Sequence, residues 1–179
     1  MKICFATVAV FSILCIFGSQ AKAQDYPKAE VFGGYQYTRI NPEGAGTGFN
    51  FNGWNAALTG NVNKWFGVTA DFSGAYKTIS GVSVKGHTYT FGPTLYARQN
   101  ENFTPFVHAL FGGFHGSVGF SGDSASSNGF AMMIGGGLDL KVSSHMAVRA
   151  GQFDWVLLHD SGTTEKKNFR YSGGIVFRF

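Results

Sequence analysis

The sequence predicts an all-β protein, a closed barrel of eight antiparallel strands that cross a membrane. About eight segments of roughly ten residues alternate apolar and polar side chains, which is the period of a strand with two different faces. Aromatic residues form 16% of the chain and glycines number 26, yet no segment after residue 23 is apolar for long enough to form a membrane helix. The last strand ends on an aromatic residue, Phe179, with one apolar and one polar face.

The first 23 residues have the form of a secretory signal peptide. A basic start, Met1-Lys2, precedes the apolar run Ile3–Phe17 and the small-x-small site Ala21-Lys22-Ala23. A transmembrane helix is the alternative, but about 15 apolar residues fall short of the ~20 needed to span a bilayer. We therefore expect residues 1–23 to be removed and residues 24–179 to form one barrel domain.

The exported chain has neither disulfides nor a strong charge. Both cysteines, Cys4 and Cys15, lie in the predicted signal peptide, so strand closure rather than cross-linking must hold the protein together. Without Lys2 and Lys22 the chain keeps 12 basic and 10 acidic residues, a net charge of +2. This charge is too small to indicate nucleic-acid binding.

Alternation places the eight strands in order along the chain. The predicted strands are Lys28–Thr38, Asn50–Val62, Trp65–Tyr76, His87–Arg98, Pro105–Ser117, Gly129–Val142, Met146–Leu158 and Asn168–Phe179.

In the first four strands, apolar residues at every second position oppose polar ones. The polar face carries Glu30 in the first strand, Asn55 in the second and Asp71 in the third. Threonines and Arg98 form this face in the fourth strand. Pro93 lies within that strand, and because proline has no N–H for the ladder we expect a bulge or local kink there.

The last four strands follow the same rule less evenly. Phe106 and Leu110 share a face with His108, so the fifth strand has the weakest pattern. In the sixth strand Asp139 lies between two leucines, and in the eighth the polar face carries Arg170.

The seventh strand does not keep one alternation. Arg149 and Gln152 can share a face only if one extra residue is inserted between them. We therefore predict a β-bulge at Ala150-Gly151, with Gly151 in a backbone conformation that other residues avoid.

The connections alternate in length. Those predicted to be long and external are Arg39–Phe49, Lys77–Gly86, Val118–Asn128 and His159–Lys167, and those predicted to be short are Asn63-Lys64, Gln99–Thr104 and Ser143–His145. This alternation is typical of membrane barrels, which have short turns at the end that holds both termini. A soluble β-sandwich or lipocalin-like barrel also alternates, but its small interior could not hold so many aromatic rings.

Three motifs resemble those of the small outer-membrane β-barrel family, which includes the OmpA transmembrane domain and OmpX. They are the Ala21-Lys22-Ala23 site, the seventh-strand pattern Arg149…Gln152…Asp154-Trp155, and the ending Ser172-x-Gly174-x-x-Phe177-x-Phe179. The resemblance implies a monomer in bacterial outer-membrane lipids. It also implies that the barrel-assembly machinery reads Ser172, Gly174, Phe177 and Phe179 during insertion. The chain stops at the last strand, so the peptidoglycan-binding domain of OmpA is not expected.

The polar strand faces predict an ion-pair network inside the barrel. Its expected members are Glu30, Asp71, Arg98, His108, Asp139, Arg149, Asp154 and Arg170, with Lys141 and Arg178 on the same faces. An eight-stranded barrel is just wide enough to be filled by its own side chains, and buried charges must be paired. We therefore expect a filled polar lumen. The alternative is a narrow channel or transporter for a small hydrophobic or ionic solute.

Little in the sequence indicates catalysis. His115 and Ser117 lie two apart on one strand face, near Asp123, and are the weak catalytic candidates because a histidine can activate a hydroxyl. A lipid-modifying enzyme of the lipid A deacylase type is the corresponding alternative. The five histidines show no compact metal-ligand spacing, and no cofactor motif is present, so we expect neither metal nor cofactor. The favoured function is a structural, non-enzymatic barrel whose external loops display surfaces for adhesion or partner binding.

Overall fold

The computed structural model describes residues 26–42, 48–79, 81–100, 102–120 and 123–179, so the predicted signal peptide lies outside the described residues. Eight strands fill almost all of these ranges. They are β1 (Ala29–Ile40), β2 (Phe49–Asn61), β3 (Phe66–Ile79), β4 (Val82–Tyr96), β5 (Phe103–Phe120), β6 (Asp123–Ser143), β7 (Met146–Asp160) and β8 (Thr163–Arg178).

The strands form one closed antiparallel barrel in sequence order, as predicted. β1 closes on β8 in continuous register from Glu30 opposite Arg178 to Arg39 opposite Phe169. Because every strand pairs on both sides, no described strand is left as a free sheet edge. Below, the inner end is the one that holds Ala29 and Arg178, and the outer end is the opposite one.

The outer wall is apolar and the interior is largely polar. Exposed positions on the wall carry large aromatic and aliphatic side chains, such as Trp54, Phe72 and Phe153, which are 44%, 50% and 69% exposed. A wall of this kind suits contact with lipid. Across the described ranges, no helix is long and apolar enough to cross a membrane.

Three predicted long loops are mostly strand. β3 continues to Ile79 and β4 begins at Val82, whereas β5 continues to Phe120 and β6 begins at Asp123. β7 and β8 are joined by Ser161 and Gly162, whose φ angles of 48° and 85° are those of a tight hairpin turn. The segments expected to be loops are therefore the ends of three hairpins. We call these the outer hairpins, defined as the parts of β3–β4, β5–β6 and β7–β8 that lie beyond the level of Arg170. Mixed Gly, Ser and Thr composition hid these strands from sequence reasoning.

The β-bulge forms where it was predicted. Asp139 lies opposite Arg149 and Leu138 opposite Gly151, which leaves Ala150 as the extra residue. The predicted backbone for Gly151 is wrong, because Gly151 is not among the described residues with positive φ. A Cβ at Gly151 would instead lie 3.1 Å from the ring of Tyr171, whose hydroxyl donates to the carbonyl of Ala150. A side chain at this position would require the Tyr171 ring to shift by a few tenths of an ångström.

No bulge forms at Pro93, but the ladder between β4 and β5 is interrupted there, because Gly92 and Pro93 have no paired residues on β5. Pro93 lies opposite Val68, and the pairing of β4 with β5 has the same register on both sides of it. The ring is on the exposed outer wall, so β4 passes through without a bulge.

Candidate functional site

The candidate site is the interior of the barrel, where strand alternation and the bulge gather the charged side chains. Residues three apart on a regular strand point to opposite faces. The extra residue in β7 turns both Arg149 and Gln152 inward, and the Arg149 guanidinium donates to the Gln152 amide oxygen at 2.7 Å. The bulge thus has a direct consequence for the composition of the interior.

Arg170 is the centre of the uppermost ion-pair layer. Its guanidinium contacts the carboxylate of Asp71 at 2.7 and 3.2 Å and that of Asp154 at 2.7 and 2.8 Å. His108 Nε2 lies 2.8 Å from the other oxygen of Asp154, and the Asn55 amide donates to Asp71 at 2.9 Å. Five strands, β2, β3, β5, β7 and β8, are thereby connected across the lumen.

Arg149 forms the middle layer. It donates to both oxygens of Asp139, at 2.8 and 3.1 Å. Its guanidinium also lies over the rings of Phe32 and Phe106, 4.5 and 4.2 Å from their centroids. Contact with aromatic rings and hydrogen bonds to a carboxylate suit a planar cation held in a dry interior.

Glu30 forms the innermost layer. Arg98 and Arg178 donate to its carboxylate at 2.8 and 2.9 Å, and Asn61 donates at 3.1 Å. Arg98 follows the end of β4 and stacks 4.1 Å from the ring of Tyr96. Arg178 also lies 3.8 Å from Asp139, which joins this layer to the middle one.

Together the three layers form the ion network, defined as Glu30, Asp71, Arg98, His108, Asp139, Arg149, Asp154, Arg170 and Arg178. It contains the eight expected members and also Arg178, which the sequence placed on the same strand faces. Lys141 is exposed instead. Four carboxylates face four guanidinium groups, so the charges of these groups balance. Each buried ion would cost several kcal/mol if unpaired, which explains why each has a partner.

Sequence reasoning missed the neutral partners of the ion network. Gln152 connects its middle and upper layers, because it accepts from Arg149 and donates to Asp154 at 2.9 Å. Phe106 looked like a defect in a polar face, but it stacks on Arg149, as does Phe32. The sequence could have indicated an interior position for Phe106, because Phe106 and His108 lie on the same face of the strand.

The interior above Arg170 differs from the filled polar lumen that the sequence led us to expect. An outer cavity of about 560 Å³ lies there. Its base is formed by Gln36, Ser73, Met133 and Arg170, and its apolar wall side chains are Ile40, Phe51, Ala75, Val84, Phe114, Val118, Val156 and Leu158. Leu110, Met133 and Val156 form a buried apolar cluster beside the base. The upper lumen is therefore largely apolar and not filled by side chains.

The weak catalytic candidates do not assemble into a catalytic group. Phe114 and Gly116 on β5 line the outer cavity. His115 and Ser117 alternate with them and therefore lie on the outward face of the strand. His115 Nδ1 pairs with Asn128 at 2.8 Å, and Ser117 lies opposite Ser126. Asp123 lies opposite Phe120, at the far end of the same hairpin. Within the described residues, no group of three or more His, Cys, Asp or Glu side chains could hold a metal ion.

The predicted sorting residues divide between the two faces of β8. Ser172 is buried in the interior, whereas Phe177 and Phe179 are 46% and 69% exposed on the outer wall near the inner end. Gly174 packs against the backbone of Gly33 and Gly34 on β1.

One family model and several solved structures of the same fold match this chain. The family model described as outer membrane protein beta-barrel domain matches residues 7–177. Neisserial surface protein A superposes with a TM-score of 0.73 at 11% identity, covering 87% of this chain and 100% of that one. The attachment invasion locus protein Ail of Yersinia pestis, in complex with the heparin analogue sucrose octasulfate, gives 0.63 at 21%, covering 86% and 99%. The N-terminal barrel of Pseudomonas aeruginosa OprF gives 0.59 at 9%, covering 87% and 100%. No curated protein sequence matches.

Proposed function

The chain belongs to the outer membrane protein beta-barrel family, a family of the bacterial outer membrane, and from this premise we propose that it is a non-enzymatic surface-display barrel. Its outer hairpins bind an external partner, and the ion network closes its lumen to solutes. The inner end, with its short turns, faces the periplasm, and the outer hairpins face the exterior.

The observation that carries this proposal is the ion network. Its three layers occupy the lumen from Glu30 near the inner end to Arg170, and they connect strands on all sides of the barrel. Moving a solute through would require separating buried ion pairs, each of which costs several kcal/mol to break. A barrel of eight strands leaves little room around them. The interior therefore favours a structural role over conduction.

The charge of the outer end supports an anionic partner. Five cations lie there, namely Arg39, Lys77, Lys85, Lys166 and Lys167, against Asp123, Asp160 and Glu165 among the described residues. Lys166 and Lys167 are adjacent and exposed at the β7–β8 hairpin. Ail, which has the same fold, has been solved with a sulfated heparin analogue. We therefore propose a polyanionic surface, such as a sulfated glycan, as the partner.

Heparin binding tests this proposal directly. The double variant Lys166→Gln/Lys167→Gln should elute from a heparin column at clearly lower salt than the wild type, because fewer counterions are released on binding. The matched control is Lys64→Gln/Lys141→Gln, which removes two exposed lysines from the inner end. Equal shifts for both pairs, or no shift for the outer pair, would contradict an outer binding surface.

Planar-bilayer recordings test closure of the lumen. The folded wild type should show no stable, reproducible channels, because Arg170 is held by two carboxylates across the lumen. Reproducible unitary conductance would support the narrow-channel alternative instead.

We further propose that the barrel is a monomer surrounded by outer-membrane lipids and that the barrel-assembly machinery inserts it. The exposed positions of Phe177 and Phe179 on the outer wall of β8 support a role as assembly signals, since both rings remain accessible to another protein before lipid covers them.

A further inference from the structure

The outer cavity has features of a ligand site that the proposed display function does not use. Its volume of about 560 Å³ falls within the range of roughly 300–1,000 Å³ that is typical of small-molecule pockets. It lies above the ion network, which forms a closed base, and it is partly open. A molecule could enter this cavity but would not pass through the barrel.

The side chains that line the outer cavity are more apolar than a water-filled opening requires. Phe114 and Val118 on β5 and Val156 and Leu158 on β7 all line it. Apolar surface facing water is unfavourable, so covering it with an apolar molecule is a source of binding free energy.

Two polar atoms near the base lack hydrogen-bond partners. The Gln36 side chain is 1% exposed and donates to the carbonyl of Gly74, but its amide oxygen accepts nothing among the described residues. The hydroxyl oxygen of Thr38, which is 8% exposed, is also without a partner there. Both side chains line the outer cavity on β1. A buried acceptor left unpaired is costly, so a ligand that donates to it gains affinity.

The charged groups of the outer cavity argue against a strongly charged ligand. Arg170 is already neutralised by Asp71 and Asp154. The remaining charged residues of the lining are Lys85, Asp160 and Glu165, of both signs.

We propose that the outer cavity binds a small, neutral, largely apolar molecule that carries a hydrogen-bond donor, such as a hydroxyl or ring N–H group. The apolar body lies against the β5 and β7 side chains, and the donor points to the unpartnered oxygens of Gln36 and Thr38. Binding is independent of Lys166 and Lys167, the lysines varied to test the anionic partner, since neither lines the outer cavity.

Indole and 1-methylindole form a matched pair of probes, since only indole has an N–H donor. Titration calorimetry of the full barrel in detergent-free lipid nanodiscs, with empty nanodiscs as the blank, should show saturable binding of indole. One hydrogen bond to an acceptor that is otherwise unpaired predicts that indole binds roughly two- to tenfold more tightly than 1-methylindole. Binding no greater than that of empty nanodiscs would overturn the site, and equal affinities would overturn the role of the oxygens.

Substitutions locate the site. Gly86 lines the outer cavity, and a Cβ built there meets no atom within 4 Å, so Gly86→Phe places a ring in open space. It should weaken indole binding at least tenfold. Gly33→Phe is the matched control, because a Cβ at Gly33 also meets nothing and lies on the outer wall. Unchanged binding in Gly86→Phe, or equal loss in Gly33→Phe, would place the site elsewhere.

Thr38→Val tests the polar end without changing the shape of the side chain. Together with Gln36→Leu it should reduce the preference for indole over 1-methylindole to about one while the affinity for 1-methylindole is kept. A preserved preference would show that the donor binds elsewhere. If the double variant does not fold, as judged by heat-dependent migration on a detergent gel, Thr38→Val alone should still reduce the preference, because its hydroxyl has no partner to lose.

Discussion

The inner and outer halves of this lumen are built on the same strands but have opposite contents. In the inner half, four carboxylates and four guanidinium groups close the lumen with buried ion pairs. In the outer half, aliphatic and aromatic side chains line a cavity of about 560 Å³. The comparison shows that the barrel fold sets where side chains point, whereas the residue types at the inward positions decide whether the space is filled.

The difference arises from what each kind of side chain can reach. An arginine is long, and its planar fork can hold two carboxylates, so Arg170 connects Asp71 with Asp154 across the lumen. Phe114 and Leu158 are apolar and have no such partners, and Leu158 packs against the apolar cluster of Leu110, Met133 and Val156. The inner half is expected to carry stability, and the outer half is free to carry binding.

Removing a cation from the ion network of the inner half should have the largest effect on the free energy of unfolding. Arg170→Leu leaves Asp71 and Asp154 buried without their cation, which should lower the free energy of unfolding by about 3–5 kcal/mol. Urea unfolding in lipid vesicles measures it. Arg39→Leu, on an exposed arginine at the outer end, is the control and should stay within about 0.5 kcal/mol of the wild type. A loss below 1 kcal/mol in Arg170→Leu would contradict the importance of the ion network.

A charge on the lipid-facing wall should have an intermediate effect on the free energy of unfolding, and two positions on β3 test this. Phe72→Lys puts a charge on the wall near its middle and should cost about 2–4 kcal/mol. Thr78→Lys has the same outward alternation on β3 but lies six residues nearer the outer tip, so its cost should approach zero. Equal unfolding free energies of the two variants in vesicles would mean that the outer hairpins do not extend beyond the bilayer.

Glycine substitutions should show the smallest difference. Gly151→Ala forces the Tyr171 ring away from a Cβ at 3.1 Å and disturbs its hydrogen bond to Ala150, with a cost of about 1 kcal/mol. Gly116→Ala at the outer cavity meets only Phe114 at 3.9 Å, so it should be neutral or stabilising by up to about 1 kcal/mol. Thermal unfolding of both variants measures the comparison, and a larger loss in Gly116→Ala would contradict it.

Strand alternation made most of the fold predictable from the sequence. The eight strands, their closure and the bulge at Ala150-Gly151 follow from a period of two, because a membrane wall requires one face of each strand to be apolar. The same alternation identified the charged residues of the interior, since few other places in a lipid-embedded barrel can hold Asp71 or Arg170.

The outer half was less predictable for physical reasons. Beyond the bilayer neither face of a strand must be apolar, so Thr163–Lys167 and Asp123–Asn128 read as loops although they continue β8 and β6. The outer cavity depends on which inward side chains fail to meet across the lumen, and alternation gives direction but not distance. The sequence predicted an unusual backbone conformation for Gly151. The actual feature is the close approach of Tyr171, which depends on packing between β7 and β8 and cannot be read from alternation.

Cysteine accessibility tests the contrast between the two halves most directly. With residues 1–23 removed as predicted, the chain contains no cysteine, so a single introduced thiol reports one position. Gly86→Cys lies in the outer cavity, and Thr59→Cys replaces a side chain that is 5% exposed in the inner half. A small, membrane-impermeant thiol reagent added from the outside should modify Gly86→Cys rapidly and leave Thr59→Cys unmodified. Similar rates for both would mean that water passes the ion network and would contradict a closed inner half.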